Sequence, residues 1–282
     1  MAGIDKTAFR KKVERLSNLP TLPGLMERFA EMIQDPATSM AKIGEELGKD
    51  QILTSKLLKL VNSAFYGFPG RISTLTHALV LLGYDAVKGL IVTSNVFDEL
   101  NPTAYPLWRH SIAISRAART ICDVLKIPDQ EEITIAALLH DIGKIVLHIE
   151  VPDEYLKTID YAVSNEIPMW KAEREMLGFD HADIGLWLCD KWHLPAKLSK
   201  PIGYHHKCSV AREFQERVAV VAAANEIVKA LGGQAEDGVI LSPTDPTISE
   251  LIPLTKDQLN EIADRVEPEM EALKSIGPKD LA

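Results

Sequence analysis

The sequence predicts an all-α fold, a multi-helix bundle with an N-terminal helical part packed on it. Two observations carry that prediction. Apolar residues recur three and four positions apart through almost the whole chain, the spacing of one helix face, and no alternating run is long enough for a useful strand. Glycines and prolines cut this pattern at short intervals, which gives many short helices joined by loops of ordinary length.

In chain order, the first stripe is Leu25, Phe29, Met32 and Ile33, opened by Pro20 and Pro23 and closed near Asp35-Pro36. Ser39 is placed to cap the next helix, with Ile43 and Leu47 on one face before Gly48. Asp50 caps a third, whose Ile52, Leu53, Leu57, Leu60 and Val61 spread over more than one side and so predict a buried helix. The stretch from Phe65 to Gly70 reads as an aromatic-rich loop. Ser73 and Thr74 open a fourth helix carrying Ala78, Leu79 and Leu82, and Gly83 restarts a fifth through Val87, Leu90, Ile91 and Val92. Residues 1–100 are thus one helical layer, with nothing at catalytic spacing.

The remainder holds seven of the eight histidines. His110 lies near the start of a helix whose Ile114, Ala117, Ile121 and Leu125 follow on its face, so its ring points inward. Taken alone, it reads as a core histidine bonded to a backbone carbonyl. His140 and Asp141 interrupt a helical pattern that is apolar nearly all round, where an imidazole and a carboxylate are costly to bury without partners. Adjacent helix positions project about 100° apart, so the pair reaches one ion only if it lies between their faces. Lys144, one turn beyond His140, could offer a proton or neutralise a phosphate oxygen; the plainer alternative is a local ion pair with Asp141.

Asp180 is a predicted N-cap with Asp183 at the capping-box position, which puts His181 in the first turn with its ring toward a cleft. Pro195 and Pro201 bracket a short connection, and His205-His206 follow at the end of a helical turn. Val218, Val221, Ala222, Ile227, Val228 and Leu231 form a long apolar helix holding one amide, Asn225, which needs partners when buried. His77, His148 and His193 are read as structural. Residues 101–232 make the helical core, and 233–282 an acidic tail. That tail holds one helix, Lys256 to Lys274, with Leu259, Ile262, Val266 and Leu273 on a stripe interrupted by Pro268. It could pack on the body or pair with a second copy in a homodimer.

Composition bounds the function. The formal charge is −9, of which −7 falls in residues 233–282, so residues 1–232 carry −2 and offer no concentrated basic surface for nucleic acid. A DNA-binding role through the N-terminal helices is disfavoured for the same reason. No apolar run approaches the roughly 18 residues of a membrane span, and the N-terminus lacks a signal-type core, so the expectation is a cytoplasmic protein without a membrane partner. Cys122, Cys189 and Cys208 form no CxxC pair and are read as buried small hydrophobes.

Three motifs in order carry a resemblance: Leu19-Pro20-Thr21-Leu22-Pro23, the run Ser55 to Tyr66, and Ile72 to Leu79 followed by Leu81-Leu82-Gly83. Together they resemble the HDOD family of bacterial signalling proteins, over residues 15 to 215. The resemblance implies an all-helical HD-domain-like bundle, related to the HD-domain phosphohydrolases, in a regulatory role for which catalytic residues are often missing. The series His110, His140-Asp141, His181, His205-His206, Asn225 is in turn similar to the ligand series of HD-domain metal-dependent phosphohydrolases, including the HD-GYP cyclic-dinucleotide phosphodiesterases, in which a lysine also follows the His-Asp pair.

That likeness implies His110, His140, Asp141 and His181 as metal ligands, with His205 or His206 joining them, around one or two divalent transition-metal ions (iron, manganese, zinc or nickel). Asn225 stands where those enzymes carry a final acid, and a neutral amide is a poorer ligand for a hard cation. Lys207-Cys208-Ser209 lack the acidic and Gly-Tyr-Pro pattern of the cyclic-dinucleotide enzymes, so that hydrolysis is not expected. The leading expectation is a regulatory module that binds a signalling protein partner or a small phosphorylated ligand. The alternative is a metal-dependent phosphohydrolase in which Asp141 holds the ion and Lys144 stabilises charge on the phosphoryl oxygens.

Overall fold

Helices form where the three-and-four spacing places them, and short local hydrogen bonds fix many of their ends. The structure, a computed structural model, describes residues 4–15, 38–39, 42–43, 79–80, 105–128, 130–191, 196–232 and 245–274. Regular structure among them is helical throughout, as the sequence predicts. The described helices are α1 (Lys6–Arg15), α2 (Tyr105–Leu125), α3 (Gln130–Leu139), α4 (Ile142–Glu150), α5 (Pro152–Ser164), α6 (Met169–Leu177), α7 (His181–Lys191), α8 (Ala196–Tyr204), α9 (Gln215–Ala230), α10 (Pro246–Leu251) and α11 (Lys256–Lys274). None of them is long and apolar enough to cross a membrane.

The chain divides into two compact units, Met1–Leu16 with Pro106–Met270 and Ser17–Tyr105 with Glu271–Ala282. Most of the second, including the predicted helices through Val92 and His77, lies outside the described residues. Within it Ser39 caps as predicted, its hydroxyl accepting from Lys42 N at 3.3 Å, and Ile43 and Leu79 are buried.

In the first unit, α7 packs on both α4 and α8, and α3 and α9 close over α8. The caps are legible residue by residue. Asp183 N donates to Asp180 Oδ1 at 2.8 Å and Asp180 N to Asp183 Oδ2 at 3.4 Å, the predicted reciprocal box at the start of α7. Thr255 and Gln258 make the same exchange ahead of α11. Gly178 ends α6 at φ 87°, a left-handed conformation that a side chain would resist. Helix α1 docks on α7, with Phe9 stacked on Phe179 at 4.8 Å and Val13 fully buried.

Several expectations are corrected. Pro201 does not bound a connection but lies inside α8, where it is buried beside Leu198 and Ile202; the loss of one main-chain hydrogen bond is outweighed by packing of that face. Pro268 likewise leaves α11 unbroken, because Ile262, Val266 and Met270 are buried on either side of it. Leu259, assigned to that stripe, is 41% exposed. Pro195 and His193 lie outside the described residues. His148 sits in the last turn of α4 with its ring edge-on to Tyr155 at 4.6 Å. The three cysteines are free and buried, and burial pushes each thiol up to about 12, which suits inert core residues.

Candidate metal centre

The His140-Asp141 pair does not sit within a helix. Helix α3 ends at Leu139 and α4 begins at Ile142, so both residues occupy the turn between them. Asp141 has φ −98° and ψ 12°, and its carbonyl accepts from Lys144 N at 2.9 Å, a tight turn in place of a continuous ladder. The helical separation of adjacent side chains therefore does not apply, and His140 Nε2 comes 3.3 Å from Asp141 Oδ2.

Four other segments bring groups to the same carboxylate. From α2, His110 Nε2 lies 3.6 Å from Oδ2; from the first turn of α7, His181 Nε2 is 3.0 Å from Oδ1; and after α8, His205 Nε2 is 3.8 Å from Oδ1. Lys144 Nζ pairs with Oδ2 at 2.9 Å, so the predicted ion pair exists, though as one contact among several. His206 joins through His181, their Nε2 atoms 2.9 Å apart. Two groups of donors result, His110 with His140 and Asp141, and Asp141 with His181, His205 and His206, each with its donor atoms within 4.8 Å of one another. Asp141 belongs to both, a disposition that suits a carboxylate bridging two ions. His181, expected to face a cleft in the open, is only 1% exposed, because α6 and α8 cover it while one edge still lines a cleft.

The rings are oriented from behind. His140 Nδ1 contacts Ala137 O at 2.7 Å and His205 Nδ1 contacts Ile202 O at 2.8 Å; a carbonyl only accepts, so each Nδ1 carries a proton and each Nε2 is turned to the centre. His181 Nδ1 meets Glu173 Oε2 at 2.6 Å, and the same oxygen accepts from the His181 main-chain N–H at 2.8 Å.

Electrostatics follow from this burial. Burial pushes His110 down to about 3, against the pull of Asp141 and with the help of His140 and Lys144. Burial also holds His205 and His206 well below the usual imidazole range, assisted by their neighbouring histidines. Burial works on Asp141 in the opposite sense, yet His140, Lys144 and His181 hold its carboxyl well below the usual range. His181 is the exception among the rings: burial would lower it, but Glu173 and Asp141 raise it to about 10. At neutral pH three rings are thus neutral donors, and His181 must release its Nε2 proton to ligate.

Whether the residues fit a cation is decided by atoms left without a partner. His140 Nε2, His205 Nε2, both nitrogens of His110, Asp141 Oδ1 and Asn225 Oδ1 are buried and make no hydrogen bond; the 3.0 Å contact of Asp141 Oδ1 with His181 is not aligned as one. The expectation of a backbone carbonyl partner for His110 is thus not met. One such group typically costs about 1–3 kcal/mol, and convergence of several is the signature of an absent shared partner. A cation accepts from all of them at once, and imidazoles with a carboxylate suit a borderline transition metal. Asn225, 2% exposed on α9, lines the cleft with Asp141, so the orphaned amide oxygen faces the same region.

Three residues were missed from sequence: Glu173, Lys229 and Trp170. Glu173 shares the buried face of α6 with Met169, Ala172 and Leu177, and Lys229 follows Asn225 by four in the stripe of α9; a charged residue on an apolar stripe is the signal that could have found both. Because Glu173 fixes the His181 ring, Glu173→Gln is expected to weaken metal binding by about tenfold to a hundredfold, measured by titration against a competing chelator. Unchanged affinity would leave Glu173 with no part in the centre.

A model of the HDOD domain matches residues 19–208. An HDOD domain protein of Geobacter sulfurreducens has a similar structure, with a TM-score of 0.73 and 22% identity over 96% of this chain and 99% of that one. A proposed phosphohydrolase of Shewanella amazonensis SB2B superposes with a TM-score of 0.71 at 22% identity, covering 99% of this chain and all of the other. An uncharacterised protein of Treponema pallidum (strain Nichols) is 26% identical over 229 residues, 78% of this chain; the chain spans 44% of that relative's length.

Proposed function

The chain belongs to the HDOD domain family, and we propose that it acts as a regulatory signalling domain whose buried His/Asp centre holds one or two divalent transition-metal ions. The observation that carries this reading is the convergence of unpartnered nitrogens from His110, His140 and His205 on the buried Asp141 carboxylate, with the unpartnered amide oxygen of Asn225 on a residue lining the adjoining cleft. The ligand set we propose is His110, His140, Asp141 and His181, with His205, His206 and Asn225 completing it. A bound ion would supply a fixed positive charge and Lewis acidity. Asp141 would be shared by both groups of donors, Glu173 would hold the His181 ring, and side chains from five segments would be clamped into one arrangement, which suits a domain that presents a surface to a signalling partner. Asn225 favours regulation over catalysis, because a neutral amide where related enzymes have an acid weakens the hold on a hard cation.

The test is elemental analysis of protein made without a chelating tag. The wild type should carry a stoichiometric transition metal, and a His140→Ala, Asp141→Ala double variant should carry none. Equal content in both would remove the metal from the account.

A second reading, a metal-dependent phosphohydrolase, draws on Lys144, whose ammonium lines the cleft beside Asp141 and would neutralise phosphoryl oxygens there. Protein loaded with manganese or iron is expected to release no phosphate or nitrophenol from phosphomonoesters and phosphodiesters. Turnover that Lys144→Met abolishes would put this reading first.

A further inference from the structure

The cleft beside the centre has Lys144, Asn225 and Lys229 among its lining groups, together with Trp170 and His206. Lys229 stands apart. It is only 5% exposed, and among the described residues its ammonium makes no hydrogen bond or ion pair, whereas Lys144 is paired with Asp141 at 2.9 Å. Its position four residues after Asn225 sends both side chains to the same cleft. Around Trp170 the field has the same sign: the Lys171 and Lys207 ammoniums lie 5.4 Å and 5.2 Å from its ring, which stacks on His206 at 5.8 Å.

Carboxylates nearby are already engaged. Asp141 is shared among Lys144 and the histidines, Glu173 holds His181, and Asp180 binds Arg174 and Lys207. Glu226, three residues before Lys229 on the same helix, is the exception: burial raises its carboxyl and Lys229 works against that rise, but the two do not close into an ion pair. The Lys229 side chain is almost wholly enclosed in a cleft it shares with the Lys144 ammonium and the raised His181 ring, and like charges in a poorly solvated place repel. A multiply charged oxyanion lying between the metal centre and the two ammoniums would reverse the sign of every one of these interactions.

We propose that Lys229 is an anion-binding residue, and that with Lys144 it receives the phosphoryl group of a phosphorylated ligand entering the cleft past Trp170. This inference rests on the reading of the His/Asp cluster as a ligand-binding centre, and it names Lys229 as the determinant of what that centre takes.

The probe is inorganic phosphate, titrated calorimetrically into the full chain, once stripped with chelator and once loaded with manganese, with metal content measured on the same samples. Wild type is expected to bind phosphate. Lys229→Gln should weaken binding by about tenfold or more at unchanged metal content, Lys229→Arg should stay within about threefold, and the exposed-lysine control Lys157→Gln should bind as wild type. Should Lys229→Gln melt before the assay temperature, Lys229→Met keeps the buried stem and takes its place. Phosphate affinity untouched in a folded Lys229 variant overturns the proposal, as does a metal-replete wild type that binds no phosphate. Metal-free protein that binds phosphate through Lys229, and never takes up metal, supports this inference while removing the metal reading.

Discussion

Gly143→Ala is expected to destabilise the protein by about 3 kcal/mol or more and to abolish metal binding with it, at the upper end of what overpacking costs. A Cβ at position 143 would meet the main chain of His181, 2.8 Å from its carbonyl carbon and 2.9 Å from its Cα, and would press still closer on its carbonyl oxygen. Those are backbone atoms at the first turn of α7, so no rotamer change relieves the clash, and α4 must move off α7. Asp141 lies two residues before the glycine and its Oδ1 sits 3.0 Å from His181 Nε2, so any such shift opens the centre. Gly203→Ala is the informative contrast, because the atoms its Cβ meets first belong to the side chain of Leu186 and not to main chain, so a shift of that one side chain is the first response. Urea titration of both variants, with metal content, checks the pair. A Gly143→Ala protein as stable as wild type would mean that α4 and α7 have room this contact denies them.

That glycine also shows what could be read from sequence. The caps at Ser39 and Asp180 were legible because each is a hydrogen bond between residues three apart, settled within one turn. The helices were legible for the same reason: their apolar spacing is local. The series His110, His140-Asp141, His181, His205-His206 and Asn225 was nameable through a resemblance, but its geometry depends on contacts between distant segments. Spacing made His140 and Asp141 neighbours on a helix, whereas a break between α3 and α4 lets them converge. No local rule marks that break, since the flanking residues are apolar on both sides, and the close approach of Gly143 to His181 beside it is a contact between distant segments. Glu173 and Lys229 do carry a local signal, a charge on an otherwise apolar stripe, but what each charge serves depends on distant segments, so spacing alone assigns neither a role. Pro201 and Pro268 misled in the other direction, since the propensity of one residue was given more weight than the packing of a whole face.

Asp141→Asn separates a structural carboxylate from a ligand. The side chain is 2% exposed and stands within 2.9 Å of Lys144, 3.0 Å of His181, 3.3 Å of His140 and 3.6 Å of His110. Removing its charge while keeping its shape leaves the Lys144 ammonium buried without it, a change that costs about 3–5 kcal/mol when a buried pair is broken. Stripped of metal, the variant should therefore be less stable than stripped wild type. The pH dependence should change as well. His181 is raised to about 10 from its ordinary 6.5, so its contribution to wild-type stability is full below about 6.5 and is lost as pH rises through about 10. Without Asp141 the shift rests on Glu173 and the adjacent Asp180 alone, and the alkaline decline should flatten. His110, lowered from 6.5 to about 3, acts in the opposite direction, opposing folding as pH falls below 6.5. Metal then discriminates between the roles. At a free concentration of manganese about a hundredfold above the dissociation constant, wild type should gain roughly 2.7 kcal/mol, and the variant nothing. A wild-type melting temperature that ignores manganese, alongside a variant destabilised to the same extent with and without it, would reduce Asp141 to the partner of Lys144 and leave the cluster as a buried polar network.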